Sequence, residues 1–306
     1  MGSLVVSVDA ELGWGFADHD EPPTARVDAA RDAWRFLLDL FQTHDLPATW
    51  AVVGHLFLED CDGVHADHPA PEGWFARERS HWRSRPGVRF GPNLVQATLS
   101  SPVDHEVACH SFSHVLFDDP DLTREMARAE VRAAIDAAAD HGVDFESFVF
   151  PRNRVGHRDV LAEFDFSCYR GRGTATGGRV RRTARKLGSV IDPDRVDLVR
   201  PTVDEYGLVD VGPSLFLFGF EGWARSVTER AWCDPIVRQA TRGIDRASRE
   251  DAVCHLWLHP NNVRSERDRR RMREVVAHAA TRRDEGELRI ETMAEVADRV
   301  RAAVEA

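Results

Sequence analysis

The stretch EVACHSFSH, residues 106–114, decides the fold and the chemistry that we predict for this chain. Its first residues, Glu106 to Cys109, form a short strand pattern, and His110 and His114 follow with three residues between them. Two imidazoles at this spacing are typical of metal sites. Because an isolated H-x-x-x-H also occurs by chance, the segments that meet it in the fold must decide its meaning.

Two further segments place ionisable side chains at the ends of strand-like runs. Asp9 and Glu11 end the first run, and His259 ends a late one within WLHP, residues 257–260. Side chains alternate across a strand, so Asp9 and Glu11 share one face. In parallel barrels the catalytic groups gather at the carboxyl ends of the strands. The sequence therefore predicts that these residues meet the histidine pair at one mouth of a barrel.

Short apolar runs alternate with helical periods along the chain, which indicates β-α units around a mostly parallel sheet. We predict strands at residues 4–8, 48–54, 106–109, 145–150, 252–258 and 288–290. We predict helices between residues 24 and 45, 119 and 142, 234 and 247, 264 and 283, and 292 and 304. Irregular insertions at about 55–104 and 170–222 are too long for ordinary connections. With no repeat or composition break, we expect one barrel-like domain over residues 1–306.

The composition predicts an acidic surface that uses arginine as its cation. The chain has 306 residues, with 51 acidic and 40 basic side chains, a formal net charge of −11 and a single lysine, Lys186. Salt screens the self-repulsion of such a surface, which fits a halophilic source. Nucleic acid is not expected as a partner, since the acidic excess makes the arginine-rich run at residues 179–186 a solvated loop.

Cysteine usage and hydropathy exclude further classes of protein. An odd number of cysteines without a C-x-x-C pair disfavours a disulfide framework and a thiolate zinc site, so reduced structural cysteines are expected. No apolar run reaches about 18 residues, so a membrane span is not expected. The N-terminus enters a strand without a leader pattern, and we therefore expect a cytoplasmic protein.

The residue types at the strand ends suffice for metal-assisted hydrolysis. Neutral imidazoles and carboxylates bind a borderline divalent ion, and three protein ligands leave a position for water. A carboxylate outside the ligand set can take the proton of that water, and a histidine opposite can protonate the leaving group. Each residue also has a plainer interpretation, in which Asp9 caps a strand end and His259 bonds a backbone carbonyl.

The same residues resemble the polysaccharide deacetylases of carbohydrate esterase family 4, also called the NodB-homology domain. The likeness involves SVDAE at residues 7–11, EVACHSFSH at 106–114 and LWLHP at 256–260, in matching order over essentially the whole chain. The H-[ST]-x-x-H piece after an acidic-apolar strand is the most specific part. The resemblance implies a distorted (β/α) barrel of about seven strands that removes N-acetyl or related acyl groups from amino sugars with a divalent metal.

The resemblance also implies a role for each residue. His110 and His114 would bind the metal, which we expect to be zinc, with cobalt, nickel or manganese as alternatives. Asp9 would be the general base and His259 the general acid on the departing amine. The substrate side of the site would include Pro151, Arg152 and Asn153, within FVFPRN at 148–153, and Trp14, Trp50 and Trp257, which are either sugar-stacking surfaces or barrel core.

Two motifs depart from the family pattern. The family has two adjacent aspartates in its first motif, the second a metal ligand, whereas Ala10 stands there and cannot bind metal. Glu11 is the expected substitute on the same face as Asp9; alternatively Asp9 is the third ligand and Glu11 the base. In the third motif Val149 replaces the family's arginine two residues before the proline, and Arg152 is its expected stand-in.

Three hypotheses follow from these motifs. The first is a metal-dependent hydrolase acting on an acetylated sugar or glycan precursor. The second keeps the fold but acts on a small amide, as do metal-independent relatives of the allantoinase kind, and the altered first motif motivates it. The third is a catalytically silent carbohydrate-binding barrel, against which the retention of Asp9, both histidines and His259 argues.

Overall fold

A ten-stranded sheet organises the computed structural model, which describes residues 1–16, 19, 21, 23–70, 73–172, 196–219 and 234–305. Its strands are β1 (Ser3–Ala10), β2 (Thr49–Val52), β3 (Glu106–Cys109), β4 (Ser147–Val149), β5 (Cys168–Arg170), β6 (Thr202–Val203), β7 (Val209–Asp210), β8 (Leu215–Phe216), β9 (Val253–Leu258) and β10 (Arg289–Ile290). They lie in the order β6-β7-β5-β4-β3-β2-β1-β9-β8, and β10 also pairs with β1. Among these pairings only that of β6 with β7 is antiparallel.

Helices accompany the sheet in the alternating order that the sequence predicts. They are α1 (Thr24–Thr43), α2 (Ala76–Arg79), α3 (Pro86–Arg89), α4 (Pro92–Leu99), α5 (Arg124–Ala139), α6 (Arg158–Ala162), α7 (Pro235–Glu250), α8 (Glu266–Asp284) and α9 (Met293–Glu305). A curled, mostly parallel sheet with helices packed on it confirms the predicted distorted (β/α) barrel. Among the described residues, no helix combines the length and the apolarity needed to cross a bilayer.

The two faces of β1 confirm the predicted alternation. Leu4, Val6 and Val8 pack in the large apolar cluster that includes the buried side chains of the helices. Val5 belongs instead to a second, smaller cluster inside the barrel, where it lies with Ala51 and other small residues of the neighbouring strands. Asp9 and Glu11 continue the inner face of β1, so the strand itself carries them to the mouth of the barrel.

Some element boundaries differ from the prediction for local reasons. The helix expected to begin at Asp119-Pro120 begins at Arg124, because Thr123 is its N-cap and accepts a hydrogen bond from the backbone N–H of Met126. Asp119 instead closes a turn by accepting from the N–H of Asp121. Strands β5 to β8 were not predicted, since each has only two or three residues and shows no alternation.

The two predicted insertions differ in content. The insertion at 55–104 contains α2, α3 and α4 and buries Trp82. The described part of the insertion at 170–222 contains β6, β7 and β8, whereas the arginine-rich run at 179–186 lies outside the described residues. Cys61, Cys109, Cys168 and Cys254 are free thiols, and Cys233 lies outside the described residues.

Glu106 joins the sheet to the last helix at the end of the barrel opposite the histidine pair. Its Oε2 accepts hydrogen bonds from Thr49 Oγ1 at 2.7 Å and from the backbone N–H groups of Met293 at 3.0 Å and Ala294 at 3.2 Å. A carboxylate at a helix N-terminus satisfies N–H groups that have no partner within the helix.

We predict that Glu106→Ala lowers the free energy of unfolding by about 2 kcal/mol, because the Thr49 hydroxyl and the Ala294 N–H lose their acceptor, while the Met293 N–H keeps Thr49 Oγ1 at 2.9 Å. Urea denaturation of the full chain measures this change. Glu274→Ala, on the exposed side of α8, is the matched control and should change stability by less than about 0.5 kcal/mol. Equal losses in the two variants would show that Glu106 does not anchor α9.

Candidate active site

The carboxyl ends of β1 and β3 bring Glu11, His110 and His114 together. Glu11 Oε2 lies 3.0 Å from His114 Nε2 and 3.7 Å from His110 Nε2. One ligand atom from each of the three buried side chains lies within 4.8 Å of the other two. Two imidazoles and a carboxylate in this arrangement form a candidate metal centre.

The hydrogen bonds of the histidines leave nitrogen lone pairs for an ion. Val149 O lies 2.6 Å from His110 Nδ1, and a carbonyl can only accept, so Nδ1 carries the proton and Nε2 of the neutral ring bears a lone pair. The Nε2 atoms of His110 and His114 are buried and have no hydrogen-bond partner among the described residues. Two such atoms facing a carboxylate fit a divalent cation.

The charge states also suit a metal. Although burial alone would raise the pKa of the Glu11 carboxyl, the imidazoles of His259, His110 and His114 hold it well below its ordinary value. Burial lowers the pKa of His114 despite the opposing effect of Glu11. An ionised carboxylate and neutral imidazoles are the forms that bind metal.

A buried carboxylate holds the loop between the two histidines. Glu130 of α5 accepts from the backbone N–H groups of Phe112 at 3.0 Å and Ser113 at 2.8 Å, and from Ser113 Oγ at 2.6 Å. Ser111 and His114 adopt left-handed φ angles of 59° and 61°. Such strain in residues other than glycine persists only where the surroundings determine the backbone, and it gathers at functional sites.

The turn after β1 leaves little room around Glu11. A Cβ atom at Gly15 would lie 2.0 Å from Glu11 Oε1, so only glycine fits where the carboxylate approaches the backbone. On the other side, Asn261 Nδ2 lies 3.5 Å from the same oxygen and is itself held by Arg26, whose Nη2 donates to Asn261 Oδ1 at 2.9 Å. Glu11 is therefore confined in position by its neighbours.

Asp9 makes a different set of contacts. Its two oxygens accept from Arg170 Nη1 at 2.6 Å and Nη2 at 2.7 Å, and both side chains are buried. Arg170 also donates to Ser7 Oγ at 3.0 Å and to Asn153 Oδ1 at 2.9 Å. Burial would raise the pKa of Asp9, but the Arg170 guanidinium holds it below its usual value.

His259 forms the solvent-facing wall of the site. Its Nε2 lies 3.7 Å from Asp9 Oδ2 and 3.6 Å from Glu11 Oε1, and 21% of its side chain is exposed. Its Nδ1 lies 3.2 Å from Asn262 Oδ1, which orients the ring. Both carboxylates and all three histidines that the sequence predicts are thus gathered at one mouth.

The predicted substrate residues have different positions. Trp257 is partly exposed beside His259, with ring centroids 5.5 Å apart, and the Arg170 guanidinium lies 4.6 Å from its ring centroid. Arg152 is exposed near His114, whereas Pro151 is buried where it follows β4. Asn153 contacts Arg170 and so orients the cation that holds Asp9.

Of the two interpretations of Trp14 and Trp50, the sugar-stacking surface is wrong and the barrel core is correct, because both rings are fully buried. Trp14 stacks on His55 with centroids 4.1 Å apart and donates to the carbonyl of Arg89 at 2.8 Å. Trp50 stacks on Trp34 at 5.1 Å in the core. Trp14 lies in the 3-10 turn after β1 and Trp50 lies in β2, and both rings belong to the large apolar cluster that packs against the helices.

Several residues that shape the site were not predicted from the sequence. The arginine that pairs with Asp9 is Arg170, whereas Arg152 was expected to stand in for the family's arginine. Glu130 carried no signal, because a lone glutamate on an amphipathic helix is usually solvated. Asn261 and Asn262 directly follow His259-Pro260 at a strand end, and this position could have indicated them.

Comparisons with known proteins find this fold in solved structures. No family model matches the chain, and no curated protein matches it. A Mycobacterium smegmatis protein assigned by name as a polysaccharide deacetylase is 15% identical, with 98% of this chain and 90% of that chain covered and a TM-score of 0.64. The chain has the polysaccharide deacetylase fold.

Two further solved structures share the fold at similarly low sequence identity. A Pseudomonas aeruginosa PAO1 protein, also assigned by name as a polysaccharide deacetylase, is 12% identical, with 97% and 89% of the two chains covered and a TM-score of 0.60. The PuuE allantoinase is 12% identical, with 97% and 89% covered and a TM-score of 0.61. At such identities the likeness shows the fold alone, so the chemistry must be argued from this chain's residues.

We predict that Arg170→Met lowers the free energy of unfolding by about 3–5 kcal/mol, because it leaves the Asp9 carboxylate buried without its counter-ion. The double variant Asp9→Asn with Arg170→Met removes both charges and should lose less than Arg170→Met alone. Urea denaturation of the wild type, the two single variants and the double variant measures these changes. A double variant less stable than Arg170→Met would contradict this account of the pair.

Proposed function

We propose that the protein is a metal-dependent hydrolase that removes an N-acetyl or similar acyl group from an amino sugar or glycan precursor. The observation that carries this proposal is that candidate metal ligands and a candidate base and acid lie at the same mouth of the barrel. Glu11, His110 and His114 offer three ligand atoms, while Asp9 and His259 stand beside them as a separate carboxylate and imidazole. Three ligands with an adjacent base and acid are what metal-assisted amide hydrolysis requires.

The geometry supports Glu11 as the third ligand. Its Oε2 faces the Nε2 atoms of both His110 and His114, whereas both oxygens of Asp9 are engaged by Arg170. Glu11 thus supplies the oxygen ligand that Ala10 cannot, from one residue further along the chain. A zinc ion suits a ligand set of two nitrogens and one oxygen.

Asp9 is the proposed general base. A divalent ion at the three ligands would polarise the acyl carbonyl and lower the pKa of a bound water. Arg170 holds Asp9 ionised and fixes its plane, and it occupies about two of the roughly four acceptor positions of the carboxylate. The remaining positions can accept a proton from water at the mouth.

His259 is the proposed general acid. Asn262 orients its ring, and Nε2 faces the space between Asp9 and Glu11 from the solvent side. From there Nε2 can take up a proton and deliver it to the nitrogen of the departing amine. Trp257, partly exposed at 5.5 Å from the His259 ring, offers an apolar surface on which a sugar ring can stack.

A small-molecule amidase is the second candidate. The fold likeness to PuuE allantoinase, together with the altered first motif, favours it. Elemental analysis of protein purified without added metal separates the two candidates. An active enzyme without metal would support the amidase and remove the metal-dependent deacetylase.

We predict that His110→Ala and Glu11→Ala each lose the metal at this mouth together with deacetylation. Asp9→Asn should keep the metal and lose about 10²–10⁴-fold in kcat, because it removes only the base. Metal per chain, measured by elemental analysis, and acetate release from an acetylated amino sugar are the two readouts. Unchanged metal content in His110→Ala would remove the central claim. Metal loss in Asp9→Asn with metal retention in Glu11→Ala would show that Asp9 is the ligand and Glu11 the base.

His259→Gln should keep the metal and lower kcat by about 10²–10⁴-fold on an acetylated amino sugar. Hydrolysis of nitrophenyl acetate expels nitrophenolate, an anion that leaves without being protonated, so this rate should fall far less in the same variant. His278→Gln, in α8, is the matched control and should change neither rate. Equal losses on both substrates would show that His259 does not act as the acid.

A further inference from the structure

A second cluster of metal-ligating side chains lies outside this mouth, in the insertion that follows β2. One ligand atom each from His55, Cys61, His65 and Glu78 lies within 4.8 Å of the others. His55 belongs to the short 3-10 helix directly after β2, and Glu78 belongs to α2. The cluster therefore joins the barrel to its insertion, and the proposed reaction uses none of its members.

The four side chains converge on the Glu78 carboxylate. Glu78 Oε1 lies 3.1 Å from His55 Nε2 and 3.3 Å from His65 Nε2. Cys61 Sγ lies 3.0 Å from Glu78 Oε2 and 3.5 Å from His65 Nε2. One sulfur, two nitrogens and one oxygen complete the four-coordinate set that zinc prefers in closed structural sites.

The tautomer of His55 points to a cation. Phe112 O lies 2.8 Å from His55 Nδ1, and because a carbonyl only accepts, Nδ1 carries the proton. In the neutral ring the fully buried Nε2 then presents a lone pair to Glu78 Oε1, and this nitrogen has no hydrogen-bond partner among the described residues. Two acceptors facing each other at 3.1 Å repel unless a positive charge lies between them, and the Arg89 guanidinium contacts the other oxygen, Glu78 Oε2, at 3.3 Å.

The surroundings suit a structural ion. The His55 ring stacks on Trp14 at 4.1 Å and lies 3.9 Å from the Phe112 ring, and the His65 ring lies 4.0 Å from that of Phe75. An apolar wall of this kind fixes ligand orientation and limits the access of water. With four protein ligands the site has no position for a substrate, in contrast to the three ligands at the mouth.

We propose that His55, Cys61, His65 and Glu78 bind a structural zinc ion that fastens the insertion to the barrel. On binding, the Cys61 thiol releases its proton to solvent and the thiolate joins the metal. The sequence disfavoured a thiolate zinc site because it lacks C-x-x-C, but a single cysteine followed four residues later by His65 lies outside that pattern. Through His55 and the Phe112 carbonyl, the ion would also brace the loop between His110 and His114.

Cobalt substitution tests the proposal independently of the proposed catalytic metal. Full-length protein is stripped with a chelator and titrated with Co²⁺, whose bond to a thiolate gives a near-ultraviolet charge-transfer band. The ligands at the mouth include no cysteine, so of the two clusters found among the described residues only the second can produce this band. We expect the band in the wild type and in His110→Ala, and its loss in Cys61→Ser.

Cys254→Ser, which removes a buried thiol elsewhere, is the matched control and should keep the band. In His110→Ala, stripping the metal should lower Tm by roughly 5–10 °C, since a tightly bound ion stabilises only the folded chain. If Cys61→Ser fails to fold, the wild-type titration and Glu78→Gln decide instead, the latter by weakened cobalt binding. Absence of the band in the wild type, or its persistence in folded Cys61→Ser, would overturn the site and leave a hydrogen-bonded ion-pair cluster.

Discussion

The buried pair of Asp9 and Arg170 is the interaction on which the candidate active site depends. Two charges removed from water are costly, and only short bidentate contact with further hydrogen bonds offsets that cost. Ser7 and Asn153 provide those bonds to the guanidinium. Because Arg170 engages both oxygens of Asp9, Glu11 is the carboxylate that faces His110 and His114.

What the sequence could predict was local. The alternation of side chains along β1 placed Asp9 and Glu11 on one face, and the strand before His110 placed the histidines at the same end of the sheet. Arg170 could not be found this way. It ends a strand of three residues that shows no alternation, and its partner Asp9 lies 161 positions away along the chain. Only the curl of the sheet brings them together.

The insertion at 55–104 shows a different limit of prediction. Its loss of periodicity indicated a functional or separately structured segment, but not which residues would meet. Trp14 illustrates the difficulty, because the sequence left it open as either a sugar-stacking surface or barrel core. The ring instead packs under the insertion against His55, where the contacts that bury it come from residues distant in sequence. The sequence shows that an aromatic residue is present, but only its contacts in the folded chain show whether it belongs to the core or to the site.

Phe112 connects the two clusters of ionisable residues. Its N–H donates to Glu130 at 3.0 Å, and its carbonyl accepts from His55 at 2.8 Å. The flanking Ser111 and His114 adopt left-handed angles that a free loop would avoid. Both sides of Phe112 are held, the N–H by Glu130 of α5 and the carbonyl by His55, where the insertion begins after β2. The insertion is therefore part of what sets the position of His114, and its structure bears on the candidate metal centre.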